Sequence, residues 1–233
     1  MIFRPYWGAA VQTCSMGLLP QLLVVGLGNL PLPLTRHRYF IITSCRDEWS
    51  IFHLTSVGHF IVDSLATRLG IRLSSQKEGY IGQSEVRLRD NSVSLTLFKS
   101  SVSTTVLPAV AWYIHAESLM NVSGPSIADV YRKAFHNPTN MVVVSDSVQH
   151  DVTKLAIRMG GSANGHNGIK SIISALRGEQ NFWRFRAGIG YDGTDMSTYV
   201  LGRLSNHEKQ FWNDEGLDLV LEGLGQVTRS LVP

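Results

Sequence analysis

The chain predicts a single α/β domain with a mixed central sheet flanked by helices. Three observations carry that prediction. Short apolar runs alternate along the chain with stretches of helical spacing. The apolar runs end in loops rich in Gly, Asn and Asp, as strands do where a sheet gives way to its connections. The 233 residues, 44% hydrophobic and 17% charged, suit one globular domain with a sizeable core rather than a disordered chain.

Taken in order, Gln21–Val25 is a short apolar run that enters Gly26-Leu-Gly28 and reads as a buried strand. Val57, Phe60, Ile61, Leu65 and Leu69 recur at helical spacing and predict a helix over 57–69. Glu85–Leu88 and Ser92–Phe98 read as two strands around the turn Arg89-Asp-Asn91. A helix is expected over Ser126–Phe135, ended by Asn137-Pro138. Met141–Val144 is a buried strand and Lys154–Arg158 another. Gly160–Gly168 is a Gly/Asn-rich loop, Lys170–Leu176 a helix, Trp183–Ile189 a strand, and Asn206–Leu224 a long helix with room for an interruption. Residues 38–55 and 101–116 carry no clean period. The domain is expected over 21–230, preceded by an extension, 1–20, expected to be disordered. That extension holds Arg4 and no acid; its charge is too sparse to favour a transit peptide.

The bulk chemistry narrows the function classes. A net charge of +3 and a pI near 9.0 permit a polyanionic partner without requiring one. Cys14 and Cys45 form neither a disulfide framework nor a zinc pattern. No stretch reaches the roughly 18 to 20 apolar residues of a membrane span; Thr104–Ile114 is too short. A dinucleotide site is excluded because Pro31 stands where G-x-G-x-x-G needs its third glycine, and Gly168-Ile-Lys-Ser lacks the Gly-Lys of a phosphate loop. Asn121-Val-Ser123 reads as a chance glycosylation triplet. No G-x-S-x-G elbow is present, and His53, His59, His150 and His166 are scattered, with no zinc pair on one helix face. No cofactor and no metal are expected.

What remains is a set of polar residues in short motifs: Asn29, His37, Asn121, Asp146 and Asn167. They supply one base, one carboxylate to orient it and three amides to hold a substrate, the parts of a hydrolase that activates water without a metal. In isolation, His37 would be read as a solvated or structural loop histidine. Its company changes that reading. Asp146 closes an apolar strand, and in open α/β sheets the carboxyl ends of strands border the ligand crevice. The loops holding Asn29 and Asn167 follow the same strand-to-loop logic.

The motifs Gly26-Leu-Gly-Asn29, Thr35-Arg-His37, Met120-Asn-Val-Ser-Gly124, Asp146, Gly161-Ser-Ala-Asn-Gly-His-Asn-Gly168 and Arg186-Ala-Gly-Ile-Gly190, with Val200-Leu-Gly202, occur in the order and wording of one family. The chain resembles the bacterial-type peptidyl-tRNA hydrolases, in the manner of a eukaryotic, fungal-like member, over about residues 21–226. The resemblance implies hydrolysis of the ester between peptide and tRNA, recycling tRNA from prematurely released peptidyl-tRNA. It implies His37 as general base, oriented by Asp146. Asn29, Asn121 and Asn167 would bind substrate, and Arg158 and Arg186 would clamp a tRNA phosphate. Peptidyl-tRNA would be the partner, with no membrane; the protein would be a monomer, working in the cytoplasm or alternatively in the mitochondrion.

The sequence departs from the family pattern in several places. The tyrosine expected between Asn29 and Thr35 is missing, Gln149 replaces the second acid after Asp146, and Asn164 replaces a glycine. Thr35-Arg-His37 rejoins Ser56-Val-Gly58 only after the 18 residues 38–55, and Leu97-Phe-Lys-Ser100 rejoins Glu117-Ser-Leu-Met120 only after the 16 residues 101–116. Both segments read as insertions or translated introns. The insert after His37 and the missing tyrosine keep a second reading open, a catalytically impaired paralogue that binds tRNA or another RNA without turnover. A third, an unrelated esterase, is weakened by the absent serine elbow.

Overall fold

In a computed structural model, the described residues are 19–28, 56–100, 123–135, 137–193, 199 and 204–231. The segments 1–18, 38–55 and 101–116, together with Asn29, His37 and Asn121, lie outside them. Among the described residues seven strands form one sheet. They are β1 (Gln21–Gly26), β2 (Ser74–Ser75), β3 (Gly79–Leu88), β4 (Asn91–Ser100), β5 (Met141–Ser147), β6 (Leu155–Met159) and β7 (Trp183–Gly188). Their spatial order is β2-β3-β4-β1-β5-β7-β6. The middle of the sheet, β4-β1-β5-β7, is parallel; β3 and β6 pair antiparallel at its two sides. The predicted mixed α/β sheet is therefore present.

The helices are α1 (Val57–Arg68), α2 (Ser123–Ala134), α3 (Asn167–Ala175), α4 (Asn206–Asn213) and α5 (Glu215–Leu231). Two apolar layers fill the space between sheet and helices. One gathers Leu22, Val24, Leu95, Leu97, Val142 and Val144 against Ile61 and Leu65 of α1 and Val220 and Leu224 of α5. The other packs Leu23, Val25, Met141 and Val143 against Ile127 and Tyr131 of α2 and Ile169 and Ile172 of α3. The strand period of two explains the split: alternate residues of the central strands feed opposite layers. Each fully buried Leu or Ile stabilises the fold by about 2 kcal/mol.

Local boundaries differ from the sequence reading in informative ways. The β3–β4 hairpin is longer than expected and turns through Arg89 and Asp90, with Arg89 at φ 55°. The helix expected from Ser126 begins at Ser123, because Pro125 sits in the first helical turn, where missing N–H groups cost nothing. The C-terminal helix is interrupted at Asp214, and the second piece runs on to Leu231. Ser205 and Glu208 form a capping box that starts α4.

The Gly26-Leu-Gly28 turn is shaped by close docking of α1. A Cβ on Gly26 would lie 2.6 Å from the Gly58 carbonyl, and one on Gly58 would lie 2.4 Å from the Leu27 carbonyl and 2.6 Å from that of Val144. The glycines thus let a helix start directly on the ends of β1 and β5. Ser56 fixes the contact by donating its Oγ hydrogen to the Leu27 carbonyl at 2.8 Å.

Candidate active site

The chain leaves β1 toward α1 and the strands on one side, then returns through α2 to β5 on the other. The β1/β5 boundary is thus the point where strand order reverses, and ligands bind outside the carboxyl ends of strands at such points. Gly28 leads from β1 toward Asn29, and Asp146 stands next to last in β5.

The Asp146 carboxylate meets an imidazole there, that of His166: Nε2 lies 3.3 Å from Asp146 Oδ1. His166 is the N-cap of α3, and its Nδ1 accepts the backbone N–H of Ile169 at 3.4 Å. With Nδ1 committed as acceptor, Nε2 carries the proton and donates it to Asp146. Burial, the largest single influence on Asp146, pushes its pKa up. The hydrogen bond from His166, with a backbone hydrogen bond, outweighs it, and the net pKa is lowered. The carboxylate is held ionised in a mostly buried setting.

His166 was not among the site residues expected from sequence. Its signal is the Gly165-His-Asn-Gly168 motif itself, in which the resemblance points to Asn167. Asn167 is exposed at the first position of α3, next to the Asp146–His166 pair. The helix starts three residues before the expected Lys170 because His166 caps it.

Arg158 and Arg186 stand on β6 and β7. Strand register pairs Val143 with Arg184, Arg184 with Arg158, and Ser145 with Arg186. Paired residues project to the same side, so the three arginines share the sheet face that carries α2 and α3. Arg158 is exposed, Arg186 is half-buried with its Nε lacking a partner among the described residues, and Arg184 is buried. Burial, then the Arg158 and Arg186 charges, lower the Arg184 pKa. Beside them, Ser147 Oγ lies 2.8 Å from His150 Nδ1; burial and the Arg186 charge lower the pKa of His150.

Behind Gly28 lies His59, 1% exposed, with neither ring nitrogen bonded among the described residues. Burial and then the Lys99 charge lower its pKa from 6.5 to about 3, so it is a neutral ring at ordinary pH. Among the described residues, His, Cys, Asp and Glu nowhere gather in threes as metal ligands would, and no helix is long and apolar enough to cross a membrane.

A mixed α/β sheet with an ionised carboxylate–imidazole pair at its switch point and a cationic face beside it has the make-up of an enzyme's site. Residues 53–231 match the family model described as peptidyl-tRNA hydrolase, and the chain belongs to that family. The peptidyl-tRNA hydrolase of Clostridium botulinum strain Hall is 30% identical over 189 residues, which cover 81% of this chain and 80% of that protein. That of strain Eklund 17B is 28% identical over 194 residues. A crystal structure of the Acinetobacter baumannii peptidyl-tRNA hydrolase superposes with a TM-score of 0.65 at 23% identity, covering 91% of both chains. A peptidyl-tRNA hydrolase in complex with N-propanol gives a TM-score of 0.63 at 24% identity, again covering 91% of both chains. At those identities the likeness speaks for the fold.

Proposed function

We propose that this protein hydrolyses the ester bond between the peptide and the 3′-terminal ribose of peptidyl-tRNA, recycling tRNA from prematurely released chains. The observation that carries this reading is the ionised Asp146 at the switch point, with one oxygen engaged by His166. In the proposal its second oxygen receives the imidazole of His37. His37 takes a proton from water as the water attacks the ester carbonyl, and Asp146 stabilises the imidazolium that forms. Asn29, Asn121 and Asn167 hold the peptide end near the reacting carbonyl, where one amide N–H on the developing oxyanion contributes on the order of 3 kcal/mol. Arg158 and Arg186 clamp a tRNA phosphate without reading sequence, which suits an enzyme that accepts many tRNAs.

On the same reading, 38–55 and 101–116 are insertions or translated introns of a eukaryotic, fungal-like member, and the protein acts as a monomer in the cytoplasm or alternatively in the mitochondrion. Sequencing of spliced transcripts tests the intron idea, which fails if both segments stand in mature message. The test of function is release of N-blocked aminoacyl groups from peptidyl-tRNA by the full-length protein, with His37→Ala as control. Turnover that vanishes in the control supports the reading; turnover that survives removes His37 as base. The insert after His37 and the missing tyrosine favour one other reading, a paralogue that binds tRNA or another RNA without turnover. Tight tRNA binding with no turnover, both in the full chain and after removal of 38–55 and 101–116, would identify it.

A further inference from the structure

The cationic face holds three arginines, but the middle one is already occupied. The Arg184 guanidinium donates from one Nη to the Ser162 carbonyl and from the other Nη to the Gly161 carbonyl. Its Cζ sits 5.2 Å above the centre of the Phe182 ring, and the residue is 5% exposed. The two acceptors are consecutive carbonyls at the start of the loop that ends in His166 and Asn167. A planar fork suits such a pair; a point charge does not.

The loop is fixed at both ends and bent between them. At its start, Gly161 has φ +93° and lies against Arg158, whose guanidinium would be 3.2–3.4 Å from any Cβ there. In its middle, Asn164 and Gly165 adopt positive φ, and the His166 N–H reaches back to the Ala163 carbonyl at 3.0 Å. At its end, His166 binds both Ile169 and Asp146. Among the described residues, the side-chain contacts on its first carbonyls come from Arg184 alone.

We propose that Arg184 is a positioning residue for the reaction: it holds the 161–166 loop so that His166 meets Asp146 and Asn167 follows it at the start of α3, rather than serving as a third phosphate ligand. The catalytic consequence rests on the reading of function given above; the structural consequence does not. Neighbouring Arg158 and Arg186 keep their outward N–H groups for an anion, whereas Arg184 has spent both terminal nitrogens on the protein. The two kinds of arginine should therefore fail differently when replaced. Loss of a phosphate ligand weakens substrate binding, and loss of a loop anchor slows the chemical step.

The test combines the wild-type protein with a graded pair of variants. In wild-type protein, nitrogen-15 spectra should show separate, slowly exchanging Nη signals for Arg184; a single averaged signal overturns the proposal. In Arg184→Gln, amide hydrogen exchange over residues 161–168 should rise by about tenfold or more, with Arg184→Lys intermediate because it can restore one contact. With peptidyl-tRNA, kcat should fall about tenfold in the Lys variant while KM shifts by less than about threefold. Unchanged exchange, or a raised KM with kcat retained, overturns the proposal. If wild-type protein shows no turnover, the reading of function fails; the spectra and the exchange data still decide the role of Arg184, even if the Gln variant does not fold.

Discussion

His166 donates from Nε2 to Asp146 Oδ1 across 3.3 Å, while its Nδ1 accepts the Ile169 N–H that opens α3. One side chain thereby ties the end of β5 to the start of the helix that presents Asn167. Replacing it should act on stability and on chemistry together. His166→Ala removes a helix cap worth about 1 kcal/mol and a hydrogen bond to a charged group worth about 2 kcal/mol. Urea denaturation should show a loss of that order, and kcat on peptidyl-tRNA should fall by about tenfold or more. A variant as stable and as active as the wild type would remove His166 from the site.

The acid side of the stability curve follows from the same pair. The folded-state pKa of Asp146 is below its unfolded value, through the His166 contact overcoming burial. Its contribution is therefore present above the unfolded pKa and lost as pH falls through the folded one. Asp146→Asn should flatten that part of the curve below about pH 4. An unchanged acid limb in the variant would mean that other carboxylates govern it.

Much of this arrangement was legible in the sequence, and the omissions have physical reasons. The apolar runs at 21–25 and 141–144 marked the central strands because strands buried on both faces need unbroken apolar sequence. Asp146 stood out because a carboxylate ending such a run has no place in the core. Ser74–Ser75 and the first half of β3 carry no strand signal: β2 is an exposed two-residue edge strand, and Gly79 and Gly82 interrupt any apolar alternation through Tyr80 and Ile81. The start of α2 is hidden in the sequence because Ser-Gly-Pro reads as a loop. Gly124 is required there, since a Cβ would sit 2.1 Å from the Ser171 carbonyl of α3. His166 gives no sign of its role in the sequence because its partner is 20 residues away, a pairing created by the sheet and invisible to local spacing.

Close docking of α1 makes a prediction opposite to helix propensity. In an open helix, Gly→Ala stabilises by about 1 kcal/mol. At Gly58 the new Cβ would meet the Leu27 and Val144 carbonyls at 2.4 and 2.6 Å, backbone atoms that cannot swing away. Gly58→Ala should therefore destabilise by about 2 kcal/mol through overpacking. A midpoint in urea equal to or above that of the wild type would contradict the packing described.

His59 sets a second pH dependence. Its pKa falls from 6.5 to about 3 on folding, first through burial and then through the Lys99 charge, which is itself paired with Asp63 at 2.5 Å. Because the unfolded chain takes up the proton first, stability is complete above the unfolded value and declines as pH drops toward the folded one. Between pH 6.5 and 5 this histidine alone should cost about 2 kcal/mol. His59→Phe should be flatter over that interval. His150, whose pKa is lowered by burial and Arg186, contributes with the same sign to both proteins and cancels in the comparison. Parallel curves for variant and wild type would show that His59 is not the group responsible.

The exposed and half-buried arginines answer to salt instead of pH. Arg158 and Arg186 lie on one sheet face with no carboxylate paired to either among the described salt bridges. A phosphate placed between them would displace counterions, so tRNA affinity should fall as salt rises. Each of Arg158→Ala and Arg186→Ala should weaken tRNA binding by about tenfold and reduce the slope of log affinity against log salt by about one, equally for different tRNAs. Their kcat at saturating substrate should stay near the wild-type value, because a distant phosphate contact is made equally in the ground and transition states. A fall in kcat with an unchanged salt slope would instead place these two arginines with Arg184, as supports of the loop rather than ligands of the RNA.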